Sequence, residues 1–207
     1  MNADIMLLSN RLIYNDRLKC GSEEVARRCL KLNGRQFLDR LHVEGNKELC
    51  SRKKCWLEKV ADERYSFSPY FFFFLRADFV IFLFFSCKAV FIDTDTLPAH
   101  DSRVGDLVQN TTEAELVRQL AETLLRSGVR EEQIGIISLY KQQVKLLSHL
   151  LDDKKGIEIL TADKSQGRDK DCIIVSLVRS NEAGNVRFFE SGVRLLRYES
   201  DCILFSL

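Results

Sequence analysis

Two hydrophobic periods alternate between residues 111 and 178, and this alternation restricts the possible folds more than any other feature of the chain. Leu116, Leu120 and Leu124 recur every fourth residue, with Val117, Ala121 and Leu125 beside them. That pattern is one face of an amphipathic helix. Thr111 or Thr112 is the expected N-cap, Glu113 and Glu115 suit the positive end of the helix dipole, and Gly128 is the expected stop. Ile134–Leu139 is a short, nearly continuous apolar run, as suits a strand covered on both faces. Tyr140–Leu151 returns to helical spacing through Val144, Leu147, Leu150 and Leu151. Ile157–Leu160 and Asp171–Val178 read as two further strands. Short connections between such elements predict an α/β fold with a mostly parallel sheet and flanking helices. Sheets of that kind hold ligands at the carboxyl ends of their strands, where Tyr140, Thr161 and Arg179 fall. Nearer the start, Ser22-Glu23-Glu24 opens another helical stretch, with Val25, Cys29, Leu30 and Leu32 as its apolar side.

The stretch from Phe67 to Ile92 breaks this order. Phenylalanine dominates it, in runs such as Phe71–Phe74 and Phe79–Phe85. A membrane span is one reading, but Arg76 and Asp78 sit in its middle. Each charge there costs about 2.5–3.5 kcal/mol on insertion scales, against about 0.3–0.6 returned per phenylalanine. A buried strand pair turning at Arg76–Asp78 is a second reading, and such a segment would be prone to aggregate. The third reading is favoured: a poorly ordered or non-native segment that was never selected as protein. Phe, Ser and Leu codons are pyrimidine-rich, like the tract before a splice acceptor. Ala89-Val90 can be encoded with an acceptor signal and Val186-Arg187 with a donor signal. Retained intron is therefore the hypothesis for both the Phe-rich stretch and the tail after Val186.

The net charge of +1 gives no global field for a polyanion, so any nucleic-acid contact must be local. The basic runs Arg27-Arg28 and Arg52–Lys54 read as solvated faces. The seven cysteines have no CxxC spacing, so no metal site is expected, and reduced thiols are the simplest account. The opening MNADIMLLSN lacks a basic region and a long apolar core, and is not read as a secretory signal.

Ile159–Asp171, reading ILTADKSQGRDKD, carries the chemistry. Gly167 has no Cβ, so its backbone can approach a phosphate closely. The turn after a strand offers N–H groups to an anion. This segment resembles motif V of superfamily 1B helicases, which runs roughly T-x-D-x-x-Q-G-x-E/D-x-D before a strand. Val178–Asn181 matches the element that follows in those proteins. Upstream, IGIISLYKQQ (134–143) resembles motif IV, I-G-x-I-x-P-Y-R-x-Q. Residues 1–22 are similar to the segment after the Q-Y-R-M box. Together these matches cover roughly half the chain and point to the DNA replication helicase/nuclease family. A related RNA helicase is the first alternative, and a non-catalytic single-strand-binding module is the second.

The resemblance implies the second RecA-like domain of a P-loop NTPase-type motor, present in part. It implies a domain start at 1–33, an aberrant basic and Phe-rich insert at 34–89, a domain core at 90–186 and a divergent tail at 187–207. It implies that Gln166, Gly167 and Arg168 face the γ-phosphate of ATP, and that Ser138, Tyr140, Lys141, Thr161, Asp169 and Arg179 contact nucleic acid. The implied partners are single-stranded or flap DNA and the first RecA-like domain. ATP and Mg2+ would serve the parent enzyme, with neither bound by this chain alone. The nucleus is the implied compartment, with the mitochondrion also open to the family. Two positions depart from motif IV: Leu139 stands for proline, and Lys141 for arginine, which keeps the charge but loses the planar fork. No GxxxxGK[ST] loop, Walker B acid pair or arginine-bearing motif VI can be read in the sequence. The chain alone is therefore expected to lack ATPase activity.

Overall fold

The structure is a computed structural model that describes residues 2–32, 81–83, 89–93, 99–180 and 201–206. Most of the Phe-rich stretch, and residues 181–200, lie outside the described residues; where residues of the stretch (81–83 and 89–92) and of the tail (201–206) are described they are strands, not the poorly ordered chain expected there. Helix α1 covers Ala3–Leu12 and α2 covers Glu23–Ala26. Strands β1 (Ile81–Leu83) and β2 (Ala89–Asp93) precede a small hairpin, β3 (Ser102–Val104) and β4 (Leu107–Gln109). Then come α3 (Thr111–Arg126), β5 (Ile134–Ser138), α4 (Lys141–Leu150) and β6 (Glu158–Thr161). A short α5 (Ala162–Ser165), β7 (Cys172–Ser176) and β8 (Asp201–Ser206) complete the order.

The expected helix face of α3 is the centre of the core. Leu116, Val117, Leu120, Ala121 and Leu124 are all buried, against Ile134, Ile136, Cys172 and Ile174 from the sheet and Leu147 from α4. Burying each large aliphatic side chain contributes about 1.5–3 kcal/mol. The N-cap is Asn110 rather than either threonine, and its Oδ1 accepts from Glu113 N at 2.9 Å. At the other end, Gly128 takes the left-handed conformation at φ 92°. The helix expected from Ser22 is capped by Ser22 as anticipated but ends at Ala26. Cys29, Leu30 and Leu32 follow in irregular chain, and Leu30 still reaches the core. Asn2 Nδ2 holds that chain by donating to Arg28 O at 2.6 Å.

The sheet runs in the order β1-β2-β8-β7-β5-β6. Its helix-flanked part is parallel: β5 pairs in parallel with β6 on one side and with β7 on the other. The remaining three pairings, β7 with β8, β8 with β2 and β2 with β1, are antiparallel. The expectation of a mostly parallel sheet thus describes the core of three strands, and the added strands make the whole sheet mixed. β8 lies between β2 and β7, which run the same way, and joins both through opposed ladders. On β7 buried and half-buried residues alternate, so one face packs on α3 and α4. On the other face Ile137, Leu160, Ile173 and Val175 are half-buried, so coverage of β5 is less even than its apolar run suggested.

Cys172 lies wholly inside, and burial, reinforced by the charge of Asp171, pushes its thiol up to about 12. Alkylation at mildly alkaline pH with peptide mapping should therefore label Cys20 and Cys29, which are half-buried, well before Cys172. Early modification of Cys172 in the folded chain would contradict the placement of β7 under α3.

Candidate nucleic-acid and phosphate interface

Because β5, β6 and β7 are parallel, their carboxyl ends share one edge. In register, Ser138 stands beside Thr161 on one side and Ser176 on the other. Three hydroxyl residues thus form a row about 10 Å long at the usual spacing of about 4.8 Å per strand. Ser138 and Ser176 are fully buried, and Thr161 is half-exposed. The Ser138 hydroxyl accepts from Tyr140 N at 3.3 Å, supporting the turn into α4. The expected phosphate contact by Ser138 therefore meets a hydroxyl that the structure places inside. Tyr140, the N-cap of α4, is half-exposed, and Lys141 is exposed. Thr161 is the N-cap of α5, but its side chain makes no capping bond.

A buried amide network fixes this edge from behind. Gln143, in the first turn of α4, accepts from Asn110 N at 2.9 Å. Its Nε2 donates to Asn110 O at 3.0 Å and to Ser176 Oγ at 3.2 Å. Asn110 Nδ2 donates to Ala99 O at 2.6 Å and to Val178 O at 3.2 Å. Glu113 accepts from Val178 N at 2.7 Å. All four side chains, Asn110, Glu113, Gln143 and Ser176, are buried. Unpaired, such groups would each cost about 1–3 kcal/mol; here each is tied to backbone or to its neighbour.

The network holds Val178 in a conformation it would otherwise avoid. Its φ is 73°, the left-handed region, which a β-branched residue rarely enters. Both its N–H and its C=O are gripped, by Glu113 and Asn110 respectively. This bend ends β7 two residues earlier than the apolar run predicts. It also delivers Arg179, whose Nε donates to Asp101 Oδ2 at 2.6 Å with both side chains nearly buried. Asp101 is anchored in turn: its N–H donates to Ser180 O at 2.8 Å, and Oδ2 accepts from Ser180 N at 3.2 Å. Burial pulls the Arg179 guanidinium down, but the hydrogen bond and charge of Asp101, with Tyr140, outweigh it and hold it above its ordinary value.

The loop after α5 has an exposed tip on a fixed base. Gln166, Gly167, Arg168 and Asp169 are all exposed. Gly167 has φ 76°, and a Cβ there would meet nothing within 4 Å. The backbone conformation, not crowding within this chain, calls for glycine. Arg168 Nε stands 4.0 Å from Glu158, too far for a hydrogen bond. At the base, Lys170 Nζ meets Glu158 at 3.0 Å and donates to Glu132 O at 2.8 Å. The stem of Lys170 would come within 3.0 Å of a Cβ on Gly135, which explains the glycine in β5. Asp171 accepts from Gln133 Nε2 at 2.7 Å.

The structure thus gathers Ser138, Tyr140, Lys141, Thr161 and Arg179 at one edge and sets Gln166–Asp169 just beyond it. Sequence reasoning missed Asp101, Asn110, Glu113 and Gln143. Asn110 three residues before Glu113 is a capping signal, and Gln143 closes the motif IV pattern. Asp101 carries no local signal, since its partner is 78 residues away. Among the described residues no group of His, Cys, Asp and Glu is placed to hold a metal, and no helix is long and apolar enough to cross a membrane.

A parallel core of three strands flanked by helices is consistent with part of a RecA-like helicase domain. A family profile described as an AAA domain matches residues 1–196, and the chain belongs to that family. It is similar to the DNA replication ATP-dependent helicase/nuclease dna2 of Schizosaccharomyces pombe, 33% identical over 99% of this chain and 13% of that protein. The proteins of that name from Saccharomyces cerevisiae and Homo sapiens are each 37% identical, over 89% and 90% of this chain. The chain spans only 11% and 15% of their lengths.

Asn110→Ala removes a helix cap and strands several buried partners. It should lower stability by at least about 2 kcal/mol. Urea unfolding checks this, and a loss under about 0.5 kcal/mol, the size of a neutral surface change, would contradict the network.

Proposed function

We propose that this chain contributes the strand-gripping and nucleotide-sensing edge of an ATP-dependent DNA helicase/nuclease acting in replication and repair. In this reading Thr161, Tyr140, Lys141 and Arg179 hold the sugar–phosphate backbone of single-stranded or flap DNA. Ser138 acts from inside, by shaping the turn into α4. Backbone contacts of this kind position a strand without reading its sequence, as a translocating motor requires. Asp169 lies along the strand, while Gln166, Gly167 and Arg168 face the γ-phosphate of ATP and Mg2+ held by a first RecA-like domain. The residues present fit a phosphate: Gly167 has open space above its backbone, and the Arg168 guanidinium is exposed.

The observation that carries the reading is the alignment of three strand ends in register, with the exposed glycine loop one short helix beyond Thr161. The residues of motifs IV and V, distant in sequence, become neighbours there. The nucleus is the proposed compartment, with the mitochondrion as a second site open to the family. The ATP-cradling loop and the magnesium ligands belong, on this account, to the other domain.

Fluorescence anisotropy with labelled oligo-dT should show binding that weakens with salt, by about 0.7 in the log–log slope per phosphate contacted. Steady-state phosphate release should stay at background with and without DNA. DNA-stimulated hydrolysis would refute the division of labour, and salt-independent binding would refute the phosphate grip. Preference for RNA over DNA oligomers would move the assignment to the related RNA helicases.

A further inference from the structure

We propose that Asp101 is a positioning residue that presets the Arg179 guanidinium for a phosphodiester oxygen, using the strained bend at Val178 as its base. The proposal rests on the reading of Arg179 as a backbone contact and goes beyond it, because nothing in either motif includes Asp101.

Three observations converge on the pair. The Asp101 carboxylate takes the Nε hydrogen of Arg179, the one on the side of the guanidinium away from the fork tip. A phosphate that approaches the terminal nitrogens therefore need not displace Asp101. The carboxylate is itself fixed, since the Asp101 N–H donates to Ser180 O and Oδ2 accepts from Ser180 N. The preceding residue is locked at φ 73° by two buried side chains, so the chain that carries Arg179 has one path. A free arginine must lose rotamer freedom when it grips a phosphate; this one has lost it on folding. Tyr140, at the start of α4, adds to Asp101 in holding the guanidinium above its ordinary value.

The role has an opposing side. Asp101 places a negative charge close to where a phosphate would sit, at a side-chain exposure of 11%. Holding the guanidinium by hydrogen bonding helps binding, whereas the charge itself hinders it. The two contributions separate in Asp101→Asn, whose amide oxygen can accept from both Arg179 Nε and Ser180 N while carrying no charge. Asp101→Ala removes both.

Anisotropy titrations of oligo-dT across a salt series, on the full chain, test this. Urea midpoints of each variant give the folded fraction. Asp101→Ala should weaken binding about tenfold, as expected when a charged contact loses its orientation. Asp101→Asn should restore binding to the unmodified value or tighter. Arg179→Ala should weaken binding and reduce the salt slope by about 0.7, one phosphate on a single strand. Tighter binding by both Asp101 variants would overturn the proposal, because Asp101 would then be a mere competitor for the cation. Equal loss in both, tracking lost stability with an unchanged slope, would make Asp101 only structural and overturn it too. If Arg179→Ala binds like the unmodified chain, the backbone-contact reading of Arg179 fails first. If Arg179→Ala is weakened while Asp101→Ala is not, that reading stands and the proposal alone falls.

Discussion

The buried hydrogen-bond network around Asn110 is the constraint on which the rest of the edge depends. One side chain caps α3, holds Ala99 O and grips Val178 O. Gln143 repeats that logic from α4, bonding the Asn110 backbone on both its N–H and its C=O. Polar groups with no water to turn to must be satisfied by protein, so their geometry is narrow. Two helices, a strand end and the 99–101 segment are thereby fixed to one another. Apolar packing alone would leave more slack, since helices slide on a sheet face at small cost, whereas a bonded amide does not.

That rigidity explains how strain can persist at Val178. A left-handed β-branched residue costs of order 1–3 kcal/mol and survives only where its surroundings over-determine it. Glu113 and Asn110 supply that determination from the first turn of α3 and its cap. Strain placed one residue before a cation, at the carboxyl edge of a parallel core, is what a site built for preorganisation requires. The glycine loop follows the opposite design. Its base is pinned through Lys170 and Asp171, but its tip carries Gln166, Gly167 and Arg168 into solvent. One half of the proposed interface is rigid within this chain, and the tip of the other half is exposed to solvent.

Local patterns made the parallel core legible. The Leu116–Leu120–Leu124 stripe, the run at 134–139 and the later strands all correspond to observed elements, with strand ends that shift by one or two residues. The details that failed are those decided by tertiary contact. Asn110 takes the cap from two threonines because its amide has further buried partners. β7 ends at Ser176, not Val178, because the clamp bends the chain there. The role of Ser138 was read from its place in a motif, and register alone could not show that its hydroxyl turns inward. Asp101 was invisible because an ion pair spanning 78 residues leaves no periodic trace. The Phe-rich stretch admits a strand pair turning at Arg76–Asp78, but its phenylalanine runs carry no alternation that fixes a partner, and β1 pairs with β2 while β8 pairs with β7.

The central claim is that the carboxyl edge of β5, β6 and β7 is the face that meets a nucleic-acid strand. An NMR titration of the isotopically labelled chain with oligo-dT tests it most directly. The account predicts amide shifts concentrated in residues 138–141, 161–169 and 176–180, with α1 and the far end of α3 unmoved. Shifts confined to the basic N-terminal residues, or spread evenly without these three segments, would contradict it.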